Sequence, residues 1–348
     1  MSARRFAVLL VLAVAVIGGA IWLGARRSLP RDATGGEPVL KGLAAELDQV
    51  SGIRLVGAGN RTLVTLDRKD GRWLVGEVGY PADPARVRRL LLALGDLRVT
   101  EPKTTDPAGH ARLGVADVAD PQAQGLRLEL SGAAVPRVLL IGRIAATQGS
   151  YVRIPGEPQA LEARPALEVE RVPRGWLAKT VVEVAAARVQ SFDIVRSDGH
   201  GWRAAKAQRD AAHYAVEGLA RGRELTHAGA PDATANALGS LEFDDLRRAP
   251  ARAAGERPER VTFRTFDGLV LDLEGRRIGT ERWVNVSARA DPSLAARFPS
   301  AADQQAPGEA QLRAEAGRIT ALTAGWEYGL AAYRYDALFR SRDELLRH

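Results

Sequence analysis

Residues 71–99 read GRWLVGEVGYPADPARVRRLLLALGDLRV and hold the strongest local signals in the chain. They predict a strand that carries Trp73, then a turn, then an amphipathic helix. Asp83 is a good N-cap for that helix. Pro84 suits the first helical position, because a missing N–H costs nothing there. The stretch therefore predicts a strand–turn–helix unit around which the neighbouring strands are organised.

The predicted helix has an apolar face with i, i+3, i+4, i+7 spacing. This face consists of Val87, Leu90, Leu91, Leu94 and Leu97. Burial stabilises each of these side chains by about 1.5–3 kcal/mol, so a charge at Leu91 or Leu94 is expected to unfold the unit. The opposite face carries Arg86, Arg88, Arg89 and Asp96. We interpret the three arginines as an ordinary solvated face, with a docking face as the alternative.

The composition indicates a folded protein. Of the 348 residues, 46% are hydrophobic and 26% are charged, which is typical of globular domains, and the length allows two of them. The formal net charge is +7. Most of it comes from five arginines before residue 32, so no basic domain exists and nucleic-acid binding is not expected. The chain has no cysteine, which excludes disulfides and thiolate metal sites.

Residues 6–23 form an uncharged apolar run that ends beside Trp22. This run just reaches the length at which a helix crosses a bilayer, and the tryptophan suits the interface. A cleaved signal peptide is the alternative, but its small-x-small cleavage pattern is poorly matched. We therefore predict a single-pass protein of the bacterial inner membrane with its body in the periplasm. Its N-terminal parts are predicted as a cytoplasmic tail at 1–5, a transmembrane anchor at 6–23, and a linker with a short helix at 24–48.

The pattern near residue 70 returns near residue 200. Asp198-Gly199 followed by Trp202 resembles Asp70-Gly71 followed by Trp73. The strands LRLEL, VLLI and SYVRI of the first half also correspond in order to RVTFRTF, LVLDL and RWVNVS of the second. These features recur in the same order in both halves, which favours duplication over chance.

The predicted fold class is α+β: an N-terminal transmembrane helix followed by two tandem, duplicated α+β cassettes with mainly antiparallel sheets. The predicted divisions are a first cassette at 49–160, a connector at 161–188, a second cassette at 189–300 and a helical C-terminal segment at 301–348.

The C-terminal segment is predicted to be helical from Glu309 to Leu346 and is rich in aromatic residues. These are Trp326, Tyr328, Tyr333, Tyr335 and Phe339. We favour packing of this segment on the second cassette. The alternative is a partner surface, because aromatic residues dominate interface hot spots.

No catalytic, metal or cofactor site is predicted. His213 and His227 lie 14 residues apart without a ligand partner at metal spacing. Glu242 and Asp244 could share one face of a strand as a carboxylate pair, although exposed strand acids are far commoner than catalytic ones. The stretches Gly149-Ser150-Tyr151 and Gly239-Ser240-Leu241 do not fit a nucleophile elbow. A phosphate-binding loop of the P-loop type is also absent from the sequence.

Several short motifs resemble the domain-of-unknown-function family 4340 (DUF4340). They are Trp73, Ala82-Asp83, Leu113-Gly114, Ile141-Gly142, Tyr151-Val152-Arg153 and, near the C terminus, Gly325-Trp326-Glu327-Tyr328. The resemblance runs from about Ile53 to the C terminus and is weaker in the second half. It implies a single-span bacterial envelope protein, often found beside ABC-type export permeases and gliding-type auxiliary subunits. It implies no activity, because the family has no established catalytic residues.

We therefore expect a membrane-anchored, non-catalytic periplasmic accessory or scaffolding protein, as part of an ABC-type transport or gliding-like surface-assembly complex. One alternative is an envelope glycan or peptidoglycan hydrolase, for which substitution of Glu242 and Asp244 would abolish turnover. Another alternative is a receptor with a ligand pocket at the seam between the cassettes.

Overall fold

A computed structural model describes residues 36–133, 137–251, 255–298 and 308–347. The predicted anchor at 6–23 and tail at 1–5 lie outside the described residues. The chain divides into two compact units, and the division falls between Ala178 and Lys179. We call the part up to Ala178 unit 1 and the part from Lys179 unit 2.

Unit 1 is built on a nine-stranded sheet in which every neighbouring pair is antiparallel. Its strands are β1 (Gly52–Gly57), β2 (Arg61–Lys69), β3 (Arg72–Val75), β4 (Tyr80–Pro81), β5 (Arg98–Pro102), β6 (Leu126–Ser131), β7 (Arg137–Ile144), β8 (Ser150–Arg153) and β9 (Ala160–Arg164). The order across the sheet is β4-β3-β2-β1-β6-β7-β8-β9-β5. Strand β6 alternates, with its leucines buried and the residues between them half-buried.

Among the described residues of unit 1, three α-helices accompany this sheet. They are α1 (Leu43–Glu46), α2 (Pro84–Gly95) and α3 (Pro107–Leu113). The predicted start of α2 is confirmed, because the Asp83 side chain accepts hydrogen bonds from the backbone N–H groups of Ala85 and Arg86. The predicted apolar face is also buried. Local capping and burial of one face therefore explain why this segment is helical.

Unit 2 contains an eight-stranded sheet and a two-stranded sheet. The strands are β10 (Thr180–Val182), β11 (Val189–Val195), β12 (Gly201–Ala205), β13 (Ala215–Val216), β14 (Leu241–Glu242), β15 (Asp245–Arg248), β16 (Glu259–Thr265), β17 (Leu269–Ile278), β18 (Glu281–Ala290) and β19 (Trp326–Gly329). The large sheet has the order β13-β12-β11-β16-β17-β18-β19-β15, and β10 pairs with β14. All of these pairs are antiparallel.

The helices of unit 2 are α4 (Asp232–Asn236), α5 (Pro292–Arg297), α6 (Glu309–Thr323) and α7 (Ala332–Leu338). Aromatic rings form a large part of the core. The ring of Phe192 lies 5.4 Å from those of Trp202 and Tyr214 and 5.8 Å from that of Phe263. Edge-on and tilted contacts of this kind add stability beyond the area that they bury.

The two large sheets have the same strand order. Without β4, the order in unit 1 matches unit 2 strand for strand, from β3 and β13 at one edge to β5 and β15 at the other. This shared order shows, however, that one of the correspondences proposed from the sequence is displaced by one strand. Trp73 lies on β3, whereas Trp202 lies on β12, which occupies the position of β2. The two turn-and-tryptophan motifs therefore belong to different hairpins.

The predicted fold class, a transmembrane helix followed by two α+β cassettes, is wrong. The described residues form mostly antiparallel strands, arranged in three sheets, with few helices. In this part of the chain, no helix has both the length and the apolar character needed to cross a membrane. The prediction gave the helices too large a share of the fold. Most of the predicted segments pair with neighbouring strands, and only a few short segments are helical.

The continuous C-terminal helix predicted from Glu309 to Leu346 is also wrong. Helix α6 ends at Thr323, and Gly325 follows with a φ of 75°. Trp326–Gly329 then becomes β19, which pairs with both β15 and β18. The helical spacing of the apolar residues was therefore overridden by hydrogen bonds to two strands that are distant in sequence.

Two carboxylates make unit 1 sensitive to acid. Burial of Glu129 raises its pKa, but hydrogen bonds from Arg54 and Arg127 outweigh burial and hold the pKa below its usual value of 4.5. Hydrogen bonds from Lys103 and Thr147 likewise lower the pKa of Glu162. A carboxyl group whose pKa is lower in the folded state than in the unfolded state stabilises the fold at pH values above its unfolded-state pKa. This stabilisation is lost as the pH falls through the folded-state pKa.

We therefore compare the wild-type protein with a Glu129→Gln, Glu162→Gln double variant. The wild type should be the more stable of the two at pH 7. Its advantage should shrink as the pH falls below about 4.5, which urea unfolding at pH 7 and pH 3 measures. An advantage that stays constant over this range would contradict the assignment of lowered pKa values.

Candidate functional site

The two histidines considered as metal ligands do not form a metal site. His213 Nδ1 lies 2.7 Å from an Asp232 carboxylate oxygen, whereas His227 is exposed in the loop before α4. Among the described residues, no group of three or more His, Cys, Asp or Glu side chains is placed to hold a metal ion. The His213–Asp232 contact joins the residues before β13 to α4.

The carboxylate pair considered for glycan hydrolysis is not on one strand. Glu242 ends β14, and Asp244 lies in the connection to β15, where its backbone N–H donates to the Gly329 carbonyl. Glu242 is paired with Arg334 at 3.1 Å. The prediction that the two acids share one face of a strand is therefore wrong.

The two serines considered as nucleophiles have different surroundings. Ser150 is fully buried, and its hydroxyl accepts a hydrogen bond from the Leu167 backbone N–H at 2.8 Å. Ser240 contacts Glu242 at 3.4 Å. Ser150 therefore fixes the chain after β9.

One feature of unit 1 that suits binding is a groove beside α2. It combines a cavity of about 540 Å³ with one of about 590 Å³, and each is within the size range of ligand sites. We call it the α2 groove, and both of its cavities are lined by Arg86, Leu167, Glu168 and Glu170. Because these four residues are shared, the cavities form one elongated groove with Arg86 at the junction.

One wall of the α2 groove is a second face of α2. Arg86, Arg89, Leu90 and Ala93 line it at i, i+3, i+4 and i+7, the spacing that places side chains on one side of a helix. Arg88 is exposed and lines neither cavity. The three arginines of the helix therefore have different surroundings.

The other wall is the chain that follows β9, and hydrogen bonds fix it on both sides. Leu167 is held by Ser150. The Trp176 indole N–H donates to the Glu170 carbonyl at 2.9 Å, and Arg171 donates to the Gln124 carbonyl at 3.0 Å. This wall is therefore positioned before any ligand arrives, which lowers the entropy cost of binding.

Arg86 supplies an unpaired positive charge to the α2 groove. It lines both cavities, its side chain is half-buried, and the described residues provide no ion pair for its guanidinium. A hydrogen bond to a charged group contributes about 1.5–3 kcal/mol when a partner is present. On the facing wall, one oxygen of Glu170 already accepts the backbone N–H groups of Arg171 and Val172. The arrangement therefore offers Arg86 to an anionic group of a ligand.

The sequence alone did not single out this groove. The arginines of α2 were interpreted as a solvated face, which fits the exposed Arg88 but not Arg86. The spacing of Arg86, Arg89, Leu90 and Ala93 was the available signal. Its opposite wall lies about 80 residues further along the chain, and no local pattern identifies such a contact.

The C-terminal aromatic residues lie mainly in the interior of unit 2. Trp326, Tyr328, Tyr335 and Phe339 are buried, whereas the Tyr333 side chain is 69% exposed. Four of the five therefore serve packing, and Tyr333 is the member of this set that can contact a partner directly.

Comparison with known proteins gives one family. The profile of a family described as "Domain of unknown function (DUF4340)" matches residues 73–259, which is more than half of the chain. The match begins at Trp73 and includes α2 and both walls of the groove. No curated protein and no solved structure matches the chain.

Proposed function

The chain belongs to the DUF4340 family, and we propose that it is a non-catalytic accessory or scaffolding protein that binds a partner in the α2 groove. The observation that carries the proposal is the guanidinium of Arg86, which lines both cavities of a groove whose walls are already fixed and has no ion-pair partner among the described residues. An unpaired guanidinium in a groove of this kind favours an anionic ligand, because charge-assisted hydrogen bonds are the strong ones.

We further propose that the protein works in the bacterial envelope. In this proposal residues 6–23 associate with the inner membrane, and the remainder lies in the periplasm beside an ABC-type permease or a gliding-like assembly. Two observations support this placement. One is the apolar sequence of residues 6–23. The other is the resemblance to a family whose members are often found beside ABC-type export permeases and gliding-type auxiliary subunits. External protease should cleave the body in spheroplasts. Cleavage that requires lysis would contradict this placement.

The partner proposal predicts unequal effects for two arginines of one helix. In a crosslinking pull-down of the full-length protein from its native membrane, Arg86→Gln should reduce recovery of the partner at least about tenfold. Loss of one charge-assisted hydrogen bond, worth about 1.5–3 kcal/mol, gives an effect of this size. Mass spectrometry of the crosslinked material, with wild-type recovery as the reference, measures it.

Arg88→Gln is the matched control, since it makes the same substitution two residues away and outside both cavities. It should leave recovery unchanged. Thermal unfolding midpoints of both variants establish that the fold is intact. Equal recovery with the two variants would contradict binding through the α2 groove.

A further inference from the structure

We infer that the occupant of the α2 groove is an extended peptide segment in which a single carboxylate is flanked by apolar side chains. The inference rests on the proposed function and names the chemistry of the partner. It follows from the charge at the junction of the two cavities, from the apolar side chains on either side of it, and from the length of the groove.

The charge at the junction selects a carboxylate. Arg86 lines both cavities, and a guanidinium is the side-chain group that pairs with a carboxylate through two parallel hydrogen bonds. Arg89 lines the groove one helical turn later and adds a second positive charge. A neutral amide would leave one of the Arg86 donors unpaired.

The charges of the lining fit a ligand with one negative charge, because the groove is lined by three arginines (Arg86, Arg89 and Arg171) and two acids. Glu168 and Glu170 line both cavities facing α2. Glu168 is exposed, and no described residue forms an ion pair with it. A second carboxylate in the ligand would approach these acids and be repelled. The groove therefore discriminates against strongly acidic peptides.

Apolar side chains contribute to the lining on either side of Arg86. Leu90 and Trp176 line one cavity, and Leu126, Ile141 and Ile144 line the other. Ile144 is 53% exposed, so covering it would remove apolar surface from water. Each cavity therefore accepts an apolar side chain adjacent to the carboxylate.

The length of the groove favours a peptide over a small anion. The stretch of α2 from Arg86 to Ala93 spans about 10 Å, at about 1.5 Å per residue. An extended chain covers that distance in about three residues. The second cavity continues past Arg86 toward Ile144, so a segment of about six residues fills both. A single small carboxylate would occupy the junction alone.

The test is selection of a displayed random heptapeptide library on the full-length protein and on its Arg86→Gln and Arg88→Gln variants. Peptides with one Asp or Glu between apolar residues should be enriched on the wild type and on Arg88→Gln, but not on Arg86→Gln. For an enriched peptide, replacement of its acid by the amide should weaken binding at least about tenfold in fluorescence anisotropy.

Several outcomes would overturn the assignment of the occupant. They are an absence of enrichment, equal enrichment on Arg86→Gln, and displacement of the peptide by free acetate at concentrations near the peptide's own dissociation constant. If any of these occurs while Arg86→Gln still loses the native partner, the occupant is wrong and the proposed function stands. If the native partner is also retained by Arg86→Gln, both fail.

Discussion

We expect the Glu327→Gln substitution to lower the free energy of unfolding of unit 2 by about 3–5 kcal/mol, the range for breaking a buried ion pair from one side. The Glu327 side chain is fully buried in β19. One of its oxygens accepts from Arg247 at 2.7 Å, and the other accepts from Arg276 Nε at 2.8 Å. A glutamine is neutral, so Arg247 loses its carboxylate partner, and Arg276 keeps, among the described residues, only Glu256 at 3.3 Å.

The effect should be localised, because β19 lies between β15 and β18. Hydrogen-exchange mass spectrometry of the full-length protein reads it directly, since amides of β15, β18 and β19 should lose protection together. The guanidinium of Arg247 also lies 3.7 Å from the centre of the Trp283 ring. Loss of the carboxylate therefore disturbs a packed cation–π contact as well.

Glu217→Gln is the matched control for this prediction. Glu217 pairs with Arg203 at 3.2 Å, but its side chain is 57% exposed. An exposed ion pair contributes about 0–1 kcal/mol, because water screens the two charges. Equal losses of protection with the two variants would show that burial of Glu327 does not stabilise β19.

The sequence predicted those parts of the fold whose signals are local. The start of α2 was predicted correctly because its Asp83 cap, Pro84 and apolar spacing lie within one stretch. The segments LRLEL, VLLI and SYVRI, which were predicted as strands, lie in β6, β7 and β8, and their signals are also local. Such signals identify an element without specifying its neighbours.

Features that depend on distant contacts were not predicted. β19 has helical spacing in its sequence and becomes a strand because β15 and β18 supply hydrogen bonds from both sides. The mismatch between Trp73 and Trp202 is visible once the sheet order is known. The α2 groove likewise requires residues near 170 to approach α2. The order of residue types along the chain does not show which distant segments come into contact.

A charge in the apolar face of α2 should have the largest effect in unit 1. We expect Leu94→Asp to destabilise unit 1 by at least about 4 kcal/mol, since removing a buried leucine alone costs about 2–5 kcal/mol and an unpaired carboxylate adds to it. Leu94 is fully buried and lines neither cavity of the groove. Stabilities of about 5–15 kcal/mol are usual for whole domains, so unit 1 should be partly or wholly unfolded. Limited proteolysis, read by mass spectrometry of the fragments from unit 1, measures this.

Leu92→Asp controls for the new charge and for the helix propensity of aspartate. Leu92 lies on the same helix two residues earlier, but it is 45% exposed. A surface substitution of this kind usually changes stability by no more than about 0.5 kcal/mol, so unit 1 should resist the protease as the wild type does. If Leu92→Asp were as damaging as Leu94→Asp, the cause would be the helix itself. Burial of one face of α2 would then no longer explain the stability of unit 1.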